Sequence, residues 1–365
     1  MTDFRIDIPP PALDDLRTRL DRIRWADDVT GDDADWSWGT PPVVLRALVD
    51  QWRDGYDWRA TEERWNALRQ ELVVVDGAPL HVVRAGTPGA TPLLLVHGWP
   101  DGFLRFEKAL PLLADRFDIV IPSVPGYGFS PAVTTPGTGP VRVADLFAGL
   151  MAAYGFERFG VHGADIGSTI AEVIAQRHPA HVVGVHLGDV PAWHRYTVDP
   201  AAVSDTVRGY LDGMNAWFAA EGAYAALQRT KPQTLGWALV DSPVGLLAWI
   251  AEKLQAWTDG GIAAYDAAEI LDDVSLYWFT GTAASAARYY RESAVTPPDA
   301  TLRAAVPAGF TIFPRDISPA PREYAELFFD VARFTVAERG GHFGPWEQPQ
   351  VWADDVRAFF DDVQG

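Results

Sequence analysis

Gly163-Ala164-Asp165-Ile166-Gly167-Ser168 is the stretch on which the reading of this chain turns. Arg158-Phe159-Gly160-Val161-His162 leads into it, short and apolar enough for a buried strand. Thr169-Ile170-Ala171-Glu172-Val173-Ile174-Ala175 leads out of it with helical character. A Gly-x-x-x-Gly frame between strand and helix makes a tight turn that holds one reactive side chain above the end of a sheet. Here that side chain is a carboxylate. A plainer reading makes Asp165 an N-cap, its oxygen accepting hydrogen bonds from the first helical turn. The hexapeptide alone fits both.

The neighbouring segments favour the first reading. Leu72–Val75 and Leu80–Arg84, joined by Asp76-Gly77, read as a hairpin. Leu93–Val96 is a continuous apolar run, as expected of a strand buried on both faces, and it ends in His97-Gly98-Trp99-Pro100. A helical segment over Phe103–Leu113, a strand over Phe117–Ile121 and the loop Pro122–Pro131 follow. Next come a helix over Val141–Tyr154, the strand before the hexapeptide, and a strand over Val182–Leu187. Strands alternating with helices imply a parallel sheet. Strand character returns at Gly309–Phe313 and Arg333–Ala337.

Two regions break the alternation. Residues 1–71 carry helical patches at Pro11–Ile23, Val43–Trp52 and Thr61–Leu72, separated by the Asp/Gly-rich stretch Ala26–Gly39. They read as a segment that wraps a larger body without joining its sheet. Residues 191–297 are helical and rich in aromatic residues, an insertion over the carboxyl ends of the strands, where such sheets bind ligands. Residues 72–190 and 298–365 then form the two parts of one α/β core.

Composition narrows the function classes. The 365 residues, 48% hydrophobic and 22% charged, suit a soluble globular protein. No run approaches the ~18 apolar residues of a membrane span, and the first residues lack a signal-peptide pattern, so a cytoplasmic location is expected. A net charge of −19 disfavours nucleic acid and anionic membranes as partners. The absence of Cys excludes disulfides and a thiolate nucleophile.

A carboxylate nucleophile needs a base to activate water, an acid to orient that base, and donors for an oxyanion. The hexapeptide frame matches the nucleophile elbow of the α/β-hydrolase fold, in which the order along the chain is nucleophile, acid, His. His342, in Arg339-Gly340-Gly341-His342-Phe343 after the last strand, is the candidate base. Asp316, beyond the strand ending at Phe313, is the candidate acid, with Asp299, Glu338 and Glu347 as competitors. The backbone N–H groups of Ile166 and Trp99 are the candidate oxyanion donors. His178, His181 and His186 lie close in sequence but lack the carboxylate partners of a metal site, so no metal is expected.

With these motifs in view, the chain resembles the microsomal and juvenile-hormone type of epoxide hydrolase, in a soluble bacterial form. The resemblance runs through His97-Gly98-Trp99-Pro100, Gly126-Tyr127-Gly128-Phe129-Ser130, the hexapeptide and Gly340-Gly341-His342-Phe343. In the inserted region it covers Thr230–Thr234, Asp241–Leu246, Tyr277–Thr282 and Arg288–Glu292. It implies an α/β-hydrolase fold with a helical lid and an N-terminal wrapping segment. It implies that Tyr224 and Tyr290 donate hydrogen bonds to an epoxide oxygen, with Tyr289 one residue away from the second role. It also places the triad acid at Asp316, where some relatives carry Glu. The implied reaction opens an apolar or aryl epoxide to a vicinal diol through an ester on Asp165, with water as co-substrate and no cofactor. Trp99, Phe129, Trp193, Trp237 and Phe343 are the aromatic candidates for lining the substrate pocket. A haloalkane dehalogenase shares the Asp nucleophile, and a non-catalytic binding protein shares the fold; both are weighed as alternatives. The oligomeric state is open, a homodimer being one option.

Overall fold

The computed structural model describes residues 1–29 and 34–364. Residues 30–33 of the Ala26–Gly39 stretch therefore lie outside the described residues. The strands are β1 (Thr2–Asp3), β2 (Arg69–Val75), β3 (Ala78–Gly86), β4 (Thr91–Val96), β5 (Phe117–Pro122), β6 (Phe159–Gly163), β7 (Val182–Leu187), β8 (Pro307–Ile312) and β9 (Asp330–Val336). Among the described residues these form one sheet in the order β1-β2-β3-β5-β4-β6-β7-β8-β9. Pairing is antiparallel from β1 to β5 and parallel from β5 to β9.

The central strands read as apolar runs because helices cover both faces. Leu93, Leu94, Leu95 and Val96 of β4 are fully buried. Truncating one of them, Leu94→Ala for example, costs about 2–5 kcal/mol through lost burial and the cavity left behind. The order β5-β4-β6 makes β4 the point where connections diverge to both sides, and ligands bind beyond the strand ends at such a point. Val96 of β4 is in register with Gly163 of β6. The loops that leave these two strands, one carrying Trp99 and the other Asp165, therefore emerge side by side.

Before β2 stand the helices α1 (Pro10–Asp21), α2 (Pro42–Asp50) and α3 (Trp58–Asn66). Two expectations are corrected here. The segment does join the sheet, since Thr2 and Asp3 pair with Leu72 and Glu71 at its edge. The third helix stops at Asn66, and the chain is already in β2 by Arg69, where the β-branched run ahead outweighs helical spacing. The segment also grips the inserted helices: Arg19 donates to the Asp241 carbonyl at 2.7 Å, Trp52 Nε1 to Ser275 at 3.0 Å and Tyr56 to Asp272 at 2.7 Å.

Between β4 and β7 lie α4 (Leu110–Leu113), α5 (Pro140–Ala153) and α6 (Ile166–Arg177). The expected helix over Phe103–Leu113 is instead a 3₁₀ turn, Phe103–Phe106, followed by the single turn α4 with Pro111 near its start. Proline is tolerated in a first turn and disrupts a helix interior, which accounts for the break. From β7 to β8 the chain runs through α7 (Asp205–Glu221), α8 (Ala223–Thr230), α9 (Pro232–Asp241), α10 (Pro243–Trp257), α11 (Ala267–Thr280) and α12 (Ala283–Val295). The short turns α13 (Arg322–Ala325) and α14 (Gly344–Glu347) and the helix α15 (Pro349–Gln364) complete the core. Among the described residues no single helix is long and apolar enough to cross a membrane.

Candidate active site

Asp165 sits in a turn too tight for ordinary residues around it. A Cβ at Gly163 would meet the Gly167 carbonyl oxygen at 2.1 Å, and one at Gly167 would meet the Val96 oxygen at 2.4 Å. Strand and helix can close up only because both positions lack a side chain. Asp165 itself adopts φ 58° and ψ −128°, a conformation that L residues rarely take. It occupies the N-cap position of α6, yet its carboxylate turns away from the usual cap donors. Oδ1 accepts the Trp99 N–H at 2.9 Å, and the Ile166 N–H also points to the carboxylate.

The opposite side of the carboxylate faces His342, with Nε2 3.6 Å from Asp165 Oδ2. His342 Nδ1 is 2.7 Å from Asp316 Oδ1, a contact that makes Nδ1 the donor and leaves Nε2 toward Asp165. Nε2 is buried without a hydrogen-bond partner in the protein. Two of the competitors for Asp316 are engaged elsewhere, and Glu338 is exposed to solvent. Asp299 accepts from Thr301, and Glu347 accepts the N–H groups of Asp259, Gly341 and Phe343 at 2.9 Å each, which shapes the loop holding His342.

Beneath these loops Arg105 is fully buried and pairs with Asp101, which in turn accepts the Gly98 N–H at 2.9 Å. Arg105 Nη2 also donates to the His342 carbonyl. One guanidinium thus ties the Trp99 loop to the His342 loop. His97 adds a second tie, its Nε2 accepting the Val124 N–H at 3.0 Å.

Above Asp165 lies a cavity of about 280 Å³, lined by residues from the core and from α7, α8 and α12. Tyr224 and Tyr290 both line it. Their rings are 6.1 Å apart, and both pack on Trp99, Tyr224 stacked at 5.4 Å and Tyr290 edge-on at 5.8 Å. Tyr289 also reaches the cavity, but its ring packs against Tyr127 at 6.0 Å, so Tyr290 is the partner of Tyr224.

The aromatic candidates divide. Trp193 lines the cavity, its indole N–H donating to Glu172 at 3.0 Å. Trp99 backs the two tyrosines rather than facing the cavity. Phe129 is corrected to a core position, packed on Phe4 at 5.4 Å and His81 at 5.3 Å. Trp237 is 69% exposed. Its neighbour Gly236 makes the close contact with Ala284 of α12, and a residue one step along a helix points about 100° away. Phe343 is buried against Trp257 and His342, because its neighbour His342 takes the cavity side. His178, His181 and His186 have separate partners in Asp145, the Glu157 carbonyl and His162.

Asp189 is the site residue that sequence reasoning missed. It lies just past β7, lines the cavity, and accepts the Asp165 N–H at 2.8 Å and the Ser168 hydroxyl at 3.0 Å. The available signal was topological: β7 neighbours β6, so a residue beyond its end stands beside the tight turn.

Electrostatics assign the charges. Burial opposes ionisation of Asp165, but His342 and the two backbone N–H groups outweigh it and hold the carboxyl below its usual range. Burial pulls the His342 imidazole down, yet Asp316 and Asp165 overcome it and push it up to about 10. Asp189 is pushed up to about 7 by burial and by the charges of Asp316 and Asp165. Burial, reinforced by Asp165, drives the phenols of Tyr224 and Tyr290 well above their ordinary value, so both stay protonated as donors. The resting site is therefore an ionised carboxylate beside an imidazolium, under two phenol donors.

Comparison with known proteins identifies the fold and the family. Residues 1–106 match the family model described as the epoxide hydrolase N terminus, and residues 91–236 match the alpha/beta hydrolase fold. Epoxide hydrolase 1 of Sus scrofa is 32% identical, the match covering 98% of this chain and 87% of that protein. The structure of Aspergillus niger epoxide hydrolase is 30% identical, with a TM-score of 0.88 over 99% of this chain and 96% of that one. The juvenile hormone epoxide hydrolase of the silkworm Bombyx mori is 26% identical, with a TM-score of 0.85 over 100% of this chain and 94% of that one. With the fold, the paired loops and the matched sequence in agreement, the chain belongs to the epoxide hydrolase family of α/β-hydrolase-fold enzymes.

Proposed function

We propose that this epoxide hydrolase works through a covalent ester on Asp165. Ring strain makes an epoxide carbon open to attack by a weak nucleophile once its oxygen is polarised. Tyr224 and Tyr290 hydrogen-bond that oxygen, and Asp165 Oδ2 attacks the carbon from the opposite side. The C–O bond breaks, and the departing oxygen takes a proton from one phenol.

Esterification removes the negative charge of Asp165. The imidazolium of His342 thereby loses one of the two carboxylates that stabilise it, so its proton becomes available to restore the phenol. Neutral His342, oriented by Asp316, then accepts a proton from water. The hydroxide attacks the ester carbonyl carbon, and the oxyanion that forms is held by the Trp99 and Ile166 N–H groups. Collapse releases the diol and returns Asp165 as carboxylate beside imidazolium, so charges and protons balance over the cycle.

One observation carries this reading. The two oxygens of Asp165 face different partners, Oδ1 the Trp99 N–H at 2.9 Å and Oδ2 the His342 imidazole at 3.6 Å, under paired phenols. The Oδ1 position already suits the carbonyl oxygen of an ester, leaving Oδ2 to form the new bond.

The test is a single turnover with excess enzyme on an aryl epoxide in ¹⁸O-labelled water. The expected first diol carries unlabelled oxygen, and the label enters the peptide containing Asp165. A first-turnover diol carrying the label would establish direct attack by water and overturn the ester. Halide release from a haloalkane without diol formation from any epoxide would favour the dehalogenase alternative.

A further inference from the structure

The cavity changes character from floor to mouth. Its carboxylates, Asp165, Asp189 and Asp316, belong to the reacting end. Its middle is apolar, with Val190, Met214, Phe218 and Ile317 among the lining. Its open end is marked by residues exposed to solvent, including Tyr196, Arg229 and Pro297. Arg195 joins them there, so two guanidinium groups line the mouth of a site in a chain of net charge −19.

Neither arginine is neutralised. Among the described residues no carboxylate forms an ion pair with Arg195 or Arg229, although most arginines of this acidic chain have one. Both instead converge on the hydroxyl of Tyr196. Arg195 is held in place by rings, its guanidinium carbon 3.5 Å from the centroid of Phe218 and 4.6 Å from that of Tyr196. A guanidinium that lines a cavity and has no carboxylate ion-pair partner presents a planar fork of donors, which fits a carboxylate. Fixed in advance by the rings, it loses little side-chain freedom on binding.

We propose that Arg195 and Arg229 bind a carboxylate carried by the substrate, so that the preferred substrates are small epoxy acids with the carboxylate a short apolar spacer from the oxirane. This rests on the reading in which Asp165 attacks the epoxide at the cavity floor. The spacer is short for two reasons. The charge of Arg195 is felt at the phenol of Tyr224, and the cavity of about 280 Å³ lies at the small end of the range for ligand pockets. The pair also offsets the acidic field of the rest of the chain, which otherwise repels an anion approaching the mouth.

The test compares kcat/KM for terminal epoxides bearing a carboxylate at increasing distance with that for their methyl esters. Wild-type enzyme, Arg195→Gln, Arg229→Gln and the double variant are measured at low salt. Arg142→Gln, remote and paired with Asp76, controls for net charge. The wild type is expected to prefer acid over ester by roughly tenfold to a hundredfold, with an optimum at one short spacer. That ratio is expected to collapse toward one in the double variant and to stay in Arg142→Gln. Arg229 is exposed, so its variant leaves packing intact and keeps the comparison informative if Arg195→Gln folds poorly. A wild-type ratio at or below one, or a ratio indifferent to both substitutions, would overturn the proposal. Failure of the wild type on neutral aryl epoxides as well would instead count against the mechanism on which it rests.

Discussion

The backbone N–H of Asp165 donates to Asp189 Oδ1 at 2.8 Å, so a second carboxyl group holds the strained residue in place from behind. Because Asp189 is pushed up to about 7, the folded protein retains a proton there that the unfolded chain releases at its ordinary value of 3.8. Stability therefore falls as pH rises between those values. Asp189→Asn keeps an acceptor for the Asp165 N–H and removes the titration. Relative to wild type, its melting temperature is expected to rise between about pH 4 and pH 7. Asp189→Ala leaves the Asp165 N–H unpaired and is expected to lose about 1–3 kcal/mol of stability. Thermal melts across pH check both; parallel curves for wild type and Asp189→Asn would contradict the assignment.

Removing the base separates the two chemical steps. His342→Gln is expected to open the epoxide and then stall, lowering kcat by roughly a hundredfold to ten-thousandfold. Intact-protein mass spectrometry after mixing with substrate would find the protein heavier by one epoxide. An unmodified protein would count against the ester.

The phenols are expected to act together on the first step. Tyr224→Phe and Tyr290→Phe should each lower the rate of ester formation by about a hundredfold to a thousandfold, as loss of a single preorganised donor does elsewhere. The double variant should fall short of the product of the two, since residues that act as a unit are not additive. Stopped-flow single turnovers measure this directly.

The His342 proton links pH to both stability and rate. Its value of about 10 in the folded protein exceeds the ordinary 6.5, so its stabilising contribution is complete below 6.5 and is lost as pH rises through 10. Asp165→Asn removes one of the two supporting carboxylates and should flatten that alkaline decline. Kinetically, ester hydrolysis needs neutral His342 in an enzyme whose Asp165 is uncharged. Its rate should therefore rise with an apparent pKa below the free-enzyme value. Identical values for free enzyme and ester intermediate would show that Asp165 is not the group modified.

Much of this was legible in the sequence, and what was not has a physical cause. The tight turn, the His-Gly-Trp-Pro loop and the His342 loop depend on glycine and proline at fixed positions, which local sequence displays. Its place after a strand singles out Asp316 among four acids, and its Oδ1 lies 2.7 Å from His342 Nδ1. Asp189 looked like any turn residue because its partner, the Asp165 N–H, is a backbone group 24 positions earlier. Phe129, Trp237 and Phe343 show the limit of composition: an aromatic ring near a site in sequence can face the core or the solvent. Helical spacing runs on past Asn66 into β2, and β1, two residues at a sheet edge, leaves no periodic signal.

The grip of the N-terminal segment on the inserted helices carries a cost during synthesis. The bonded pairs Arg19–Asp241, Thr40–Ala248, Trp52–Ser275 and Tyr56–Asp272 are separated by 208 to 223 positions. At ribosomal speed the first three helices wait roughly 10 to 40 seconds for their partners to be made. Trp52 and Trp58, both buried in the finished fold against Ser275 and Phe279, are without that cover for that time. The nascent chain thus presents an unfinished apolar surface to chaperones, and slower growth at low temperature should favour soluble yield.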